Sequence, residues 1–449
     1  MIKKLTALLM ALCLLMGVSS ALAEKLTVTA WDANFNGNAL KAAYEDYKAN
    51  VDPDFELEIN IVSGSSDVEQ AITTAGASYD YSNLSDIVLF QDHYIQSFVM
   101  DYPDAWMDLE DAGINWDDFG AEKLSYSTVD GVHYGVPVDN GTVIMAYRVD
   151  LLEQAGYTIA DMTGITWDKF LEIGKEVYAK TGKALLSMDG SGNDLPYMML
   201  QAEGESQFKD GKAYIAGNEK LTRIVKLIVE MAKEHVLILA NDWTGYTNET
   251  MVTIIEKIVE MIQNNVLYLG NDWSDYTDQT IIGDMVAGVM NGNWIIPTIE
   301  QVAENSGKWE ITTLPTLTGA EGYAANGGSS LYITANCKNP ELAKKFLAYT
   351  FGGSTQTYDN ALRTGGVIGC CISAAQSSVY QEGVPFFNGQ AVYSKIVEMG
   401  ASVPIVEHND YHYTCRTAIG NAIQNILGGM DVMEALTNAE NELKFAMGL

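Results

Sequence analysis

Hydrophobic and polar positions near the N-terminus alternate as they do in strands. Leu26, Val28 and Ala30 point one way, and Thr27, Thr29 and Trp31 the other. Phe55 to Val62 forms a second such stretch, and Asp86-Ile87-Val88-Leu89-Phe90 is a short continuous run of the kind buried on both faces. Between them the spacing turns helical. Leu40, Ala43, Tyr44 and Tyr47 follow a polar turn over Asp32–Asn38, and Gly64-Ser65-Ser66-Asp67 reads as a helix entry. Strand, helix, strand, helix, strand predicts an α/β domain with a mostly parallel sheet. Ligands in such sheets sit beyond the carboxyl ends of the strands, which makes 31–38 and 91–94 candidate site segments.

Further along, residues 221–250 and 251–280 align without gaps. Fourteen of the thirty pairs are identical, including Ile228-Val229-Glu230-Met231 with Ile258-Val259-Glu260-Met261 and Asn241-Asp242-Trp243 with Asn271-Asp272-Trp273. Each copy carries apolar residues at helical spacing, then a short strand-like piece and a polar loop. Two copies are too few for a solenoid, so this is a local tandem duplication within a domain.

The first 23 residues are a separate object. Lys3 and Lys4 precede an apolar run from Leu5 to Val18, and Ala21-Leu22-Ala23 forms a small-x-small cleavage site before Glu24. The run is too short to span a bilayer and reads as a secretory signal peptide. Cys13 lies inside that run, not after it, so a lipid anchor is not expected. Composition narrows the partners. The 26 Lys and Arg face 59 Asp and Glu, a formal charge of -33, and the leader takes two of those lysines with it. Such a chain repels phosphate backbones and anionic lipid, so no nucleic-acid partner is expected. With 47% hydrophobic residues it still buries a sizeable core. Cys337, Cys370, Cys371 and Cys415 are too few and too unevenly placed for a disulfide framework. They read as small buried residues, with one bridge left open.

From Asp130 onward the chain becomes more specific. The run Asp130-Gly131-Val132-His133-Tyr134-Gly135-Val136-Pro137, the strand Val143 to Tyr147, and Arg148-Val149-Asp150-Leu151-Leu152-Glu153-Gln154-Ala155-Gly156 resemble the extracellular solute-binding proteins of ABC sugar importers, relatives of the maltose-binding protein. Thr166-Trp167-Asp168-Lys169-Phe170, Met290-Asn291-Gly292-Asn293-Trp294, Asn339-Pro340-Glu341-Leu342 and Tyr411-His412-Tyr413-Thr414-Cys415-Arg416 fit the same order. The resemblance implies a two-lobed α/β periplasmic-binding-protein fold that closes about hinge crossings. Lobe one would hold 24–138 and 328–370, and lobe two 139–327 and 371–449. The crossings would lie near Pro137–Asn140, near Ala325–Gly328 and between Gly366 and Ala374. It also implies an exported monomer, periplasmic or at the cell surface, that hands a sugar to membrane permease subunits.

A sugar offers apolar C–H faces and a ring of hydroxyls, so its receptor needs flat aromatics and planar polar groups. The candidates at the implied lobe edges are Trp31, Asp32 and Asn34; Gln91, Asp92 and Tyr94; Asp139 and Asn140; Asp194 and Tyr197; Trp294; and Tyr411 and His412. Trp243 and Trp273 recur in both copies and suit a repeated packing contact better. No metal or cofactor is expected. The run Asp32-x-Asn34-x-Asn36-Gly37 begins like a calcium loop but has Ala43 where the bidentate Glu belongs. Glu407, His408, Asp410 and His412 could share a zinc, but a polar loop leading into a helix explains them as well. No G-x-S-x-G, H-E-x-x-H or Walker A motif is present, which argues against an enzyme. The alternatives are the same fold holding a polyamine or a phosphorylated compound, or a secreted glycan hydrolase. On this reading the mature protein begins at or near Glu24 and carries no lipid. Intact mass of native protein checks this, and a diacylglycerol adduct on a cysteine would contradict it.

Overall fold

The computed structural model describes residues 25–188, 194–239, 276–409 and 411–449. The expected leader with Cys13, the stretch carrying Trp243, Trp273 and most of copy two, and Asp410 lie outside these residues. Strands β1 (Lys25–Trp31), β2 (Glu56–Val62) and β3 (Ile87–Gln91) alternate with helices α1 (Asn36–Asn50), α2 (Ser65–Ser78) and α3 (Asp92–Asp101). Each strand begins within a residue or so of the position its pattern gives. At the start of α2, Asp67 reaches back to accept the backbone N–H of Ser63 at 2.9 Å. Strand β1 runs parallel to both β2 and β3, as helical crossovers require.

The chain continues through α4 (Ala121–Ser127) into β4 (Gly135–Arg148), fourteen residues that are all buried. Helices α5 (Trp167–Thr181), α6 (Asp194–Ala202) and α7 (Glu219–Lys233) then frame the short parallel pair β5 (Leu186–Met188) and β6 (Leu237–Leu239). Strands β7 (Gly288–Gly292), β8 (Trp309–Thr312) and β9 (Ala325–Ile333) return to the main sheet. Helices α8 (Pro340–Tyr349), α9 (Thr355–Gly365), α10 (Val392–Ala401), α11 (His412–Leu427) and α12 (Val432–Ala446) finish the chain.

The main sheet runs β7-β4-β9-β3-β1-β2, with β8 also on β4. It is mixed, not mostly parallel. Strand β9 is antiparallel to both β3 and β4, and β7 and β8 are antiparallel to β4. The reason is topological. The chain leaves the sheet after β4 and re-enters it along β9 in the opposite direction, so the two lie side by side antiparallel.

Strand β4 divides the interior. Its Val136, Val138, Ile144 and Ala146 join the core that contains Leu26, Val28, Phe55 and Phe346. Its Val143, Met145 and Tyr147 join a second core with Trp167, Phe170, Leu195 and Ile419. Alternation along one strand therefore feeds both bodies. After β9, Val367, Cys370, Cys371, Tyr380, Phe387 and Val397 lie in the first core, and Cys415 and Ile419 lie in the second. All four described cysteines are buried and unbridged.

Helix α7 is the first copy of the duplicated helix, and it seats Leu221, Ile224, Val225, Leu227, Ile228 and Met231 in the second core. At the matching positions copy two has Met251, Ile254, Ile255, Lys257, Ile258 and Met261. Deleting 221–250 is therefore expected to leave a soluble protein that unfolds cooperatively. Leu221/Met251 and Val225/Ile255 are apolar exchanges; the one polar mismatch, Lys257 in place of Leu227, should cost about 2–3 kcal/mol. Thermal unfolding followed by circular dichroism measures this, and an insoluble or non-cooperative product would show that the copies are merged into one structure.

Candidate functional site

A cavity of about 670 Å³ opens where the strand ends of β1 and β3 face α11. Its wall includes Trp31, Asp32, Asn34, Gln91, Asp139, Asp194 and Trp294 from the sequence-based candidates. The loop after β1 holds its shape through Asp32, whose carboxylate accepts the N–H groups of Asn34 and Phe35 at 3.0 and 3.1 Å. That is an Asx turn, with Asp32 at a φ of 55°. Asp139 projects from β4 and accepts both the N–H and the hydroxyl of Ser329, at 3.0 and 2.5 Å. The indole of Trp294 donates to the carbonyl of Asn326 at 2.7 Å, so its ring is fixed across β9.

The other candidates lie off the wall. Asp92 is buried in an ion pair with the fully buried ammonium of Lys123, which also donates to the carbonyl of Ser329. Asn140 is buried, and its carbonyl accepts the side-chain amide of Asn293. Tyr197 and His412 are buried edge to face behind the wall, 4.6 Å between centroids. Tyr411 is half-buried against the second core. Glu407, considered for zinc, instead accepts the N–H groups of Asp210 and Gly211. Among the described residues no three His, Cys, Asp or Glu side chains converge as metal ligands would.

Tyr413 and Arg416 of α11 and the run Asn326-Gly327-Gly328-Ser329 also line the wall, and none of them was among the sequence-based candidates. Helical spacing held part of the signal, since 413 and 416 share a face once α11 starts at His412. Arg416 is buried between the rings of Tyr197 and Tyr413, at 5.5 and 4.9 Å, and pairs with Asp194. Burial pulls the Arg416 guanidinium down to about 10.

Behind the wall, α3 and α4 meet α6 and α11 in a polar seam. The imidazoles of His93 and His412 stack at 4.6 Å, and Tyr94 stacks on Tyr413 at the same distance. Gln91 donates to the Tyr413 hydroxyl at 3.0 Å. Glu122 accepts from Tyr126 at 2.7 Å and from Gln201 at 3.1 Å. Gln201 in turn accepts the N–H of Ala325 in β9. The seam is buried, and burial shifts its ionisable groups. Burial pushes Glu122 up to about 7 and Asp92 to about 6, the latter despite Lys123. Burial holds His408 down at about 4 and His412 at about 3.

Comparison with known proteins follows from this geometry. A family model described as bacterial extracellular solute-binding protein matches residues 41–388. The chain is 31% identical over 428 residues to a lactose-binding protein of Rhizobium radiobacter, covering 94% of this chain and 93% of that one. A crystal structure of an extracellular solute-binding protein of family 1 superposes with a TM-score of 0.72 at 18% identity, covering 94% of this chain and 99% of the other. The galacto-N-biose/lacto-N-biose I-binding protein of Bifidobacterium longum, in complex with lacto-N-biose, superposes with a TM-score of 0.67 at 16% identity, covering 96% and 99%.

The raised value of Glu122 has a measurable consequence. An acid at about 7 when folded and 4.5 when exposed adds stability that is complete below 4.5 and is lost as pH rises through 7. The histidines act oppositely, adding stability above 6.5 that is lost as pH falls. Glu122→Gln removes only the first slope. The stability difference between variant and parent is expected to shift in the variant's favour by roughly 3 kcal/mol between pH 4.5 and 8. Urea titrations across that range check it, and a pH-independent difference would show that Glu122 titrates normally.

Proposed function

Because the chain belongs to the bacterial extracellular solute-binding proteins, we propose that its cavity captures a carbohydrate outside the cytoplasm and presents it to the permease of an ABC importer. The fold is the two-lobed α/β fold of that family. The protein is exported, and no described helix is long and apolar enough to cross a membrane.

The observation that carries the ligand class is the composition of the wall. Trp31, Trp294 and Tyr413 supply aromatic surface, and Asp32, Asn34, Asp139 and Asn326 supply planar hydrogen-bonding groups beside it. C–H faces of a pyranose stack on the electron-rich rings while the carboxylates and amides bond adjacent hydroxyls. The volume lies within the range of small-ligand sites. Relatives named for lactose and for arabino-oligosaccharides support a short oligosaccharide over a single sugar. We read β4 and β9 as two of the crossings about which the lobes close. The protein acts by binding, as a monomer, without turning its ligand over. A family of receptors and a wall in which Asp139 is already committed to Ser329 both support this. Whether it works in a periplasm or at a cell surface follows from the envelope of its host.

Trp294→Ala is expected to weaken sugar binding by roughly 2–4 kcal/mol, the range of a buried aromatic anchor. Trp294→Phe keeps a ring over Gly327 and should lose less. The ligand comes from a thermal-shift screen of glycans, and calorimetric titration gives the affinities with circular dichroism as the folding control. Unchanged affinity in Trp294→Ala would remove Trp294 from the site.

A further inference from the structure

We propose that the ion pair between Arg416 and Asp194 is the charge filter of the cavity, engaging the guanidinium on the wall so that the site takes uncharged sugars and rejects carboxylated or phosphorylated ones. The inference rests on the carbohydrate reading and goes beyond it to selectivity.

Among the described residues three carboxylates line the cavity, Asp32, Asp139 and Asp194. Among the described residues the wall has one cation, Arg416. The residues preceding Asp194 in sequence, 189–193, read Asp-Gly-Ser-Gly-Asn and add none. Lys123 lies beneath the wall, but its ammonium is 0% exposed and is held by Asp92 and the carbonyl of Ser329. The Arg416 side chain is 4% exposed. Besides its pairing with Asp194, its guanidinium lies 3.4 Å from the amide oxygen of Asn326 and from Nε2 of His412. The Asn326 amide donates to the second oxygen of Asp194 at 2.9 Å. Both oxygens of Asp194 are thus held, one by the guanidinium and one by β9.

An anionic sugar entering this cavity meets an excess of negative charge in a site partly screened from water. To reach the guanidinium it must displace a carboxylate whose desolvation has already been offset by the pairing. A neutral sugar has no such conflict, because its hydroxyls donate to the same carboxylates. Asp194 is then the specificity-determining residue and Arg416 its counter-ion. Replacing Asp194 with Asn keeps the size of the side chain but removes its charge. The buried guanidinium then loses the carboxylate of Asp194, and a ligand carboxylate can take that place as its counter-charge.

The test uses two ligands that differ only in charge: a neutral oligosaccharide that binds the parent, and the same sugar with one CH₂OH oxidised to a carboxylate. Calorimetric affinities are measured for the parent, Asp194→Asn, Asp32→Asn and the double variant Asp194→Asn/Arg416→Gln. The parent is expected to bind the acid at least 100-fold more weakly. Asp194→Asn should narrow that ratio at least tenfold, the double variant should restore the rejection, and Asp32→Asn should move the ratio less than threefold. A parent that binds the acid as tightly as the neutral sugar overturns the filter, and this decides the matter even if the variants do not fold. A folded Asp194→Asn that binds the neutral sugar with an unchanged ratio also overturns it. Both outcomes leave the carbohydrate reading standing. A parent that binds no neutral glycan in the screen overturns the carbohydrate reading and the filter with it.

Discussion

Strands β4 and β9 meet so closely that there is no room for a side chain at Gly141. A Cβ there would lie 2.2 Å from the carbonyl oxygen of Asn326. Gly327 and Gly328 follow with φ of 87° and 105°, conformations open to glycine, and a Cβ on Gly328 would strike the carboxylate of Asp92. This contact sets the depth of the cavity. It places the Asn326 carbonyl where the Trp294 indole reaches it, and the Asn326 amide where it joins Asp194 to Arg416. The wall residues come from β1 and the loop after it, the start of α1, β3, β4, α6, the segment after β7, β9, the end of α9, and α11.

The crossing is also where the molecule buries charge. The Lys123 ammonium, the Asp92 carboxylate and Asp139 lie together under β9, with Ser329 and Ser330 donating to the two acids. Moving such groups out of water costs several kcal/mol each, which pairing and hydrogen bonds must offset. Apolar side chains would fill the space at less cost, but they would not fix the direction of a backbone carbonyl. The same logic extends along the polar seam, where Gln201 ties Glu122 of α4 to the backbone of β9. Hydrogen-bonded polar groups fix one relative geometry where they are fully satisfied.

Aromatic and acidic residues contribute differently to the wall. Trp31 and Trp294 are partly buried rings packed on the first core, which limits the ordering they need when a ligand arrives. The acids are fixed by neighbours: Asp32 by its own turn, Asp139 by Ser329, and Asp194 by Arg416 and Asn326. Preorganisation of this kind saves the entropy of arranging polar groups at the moment of binding.

Much of this was legible in the chain itself. Alternation at Leu26–Trp31 and the apolar run Ile87–Phe90 gave β1 and β3, because a buried strand must repeat its apolar face every second residue. Those strand ends led to Trp31, Asp32, Asn34 and Gln91 on the cavity wall. What the local pattern could not carry was any position set by pairing over long sequence distances. The antiparallel setting of β9 between β3 and β4, the withdrawal of Asp92 onto Lys123, and the burial of Tyr197 and His412 behind the wall depend on residues tens to hundreds of positions away. The same holds for Arg416. Its place in the helix follows from spacing, but its partner Asp194 lies 222 positions earlier, and only the packing of α6 against α11 brings the two charges together. Periodicity reports which face of an element is apolar; which element that face meets is decided by the tertiary fold, since burial and hydrogen bonding are satisfied between elements and not within them.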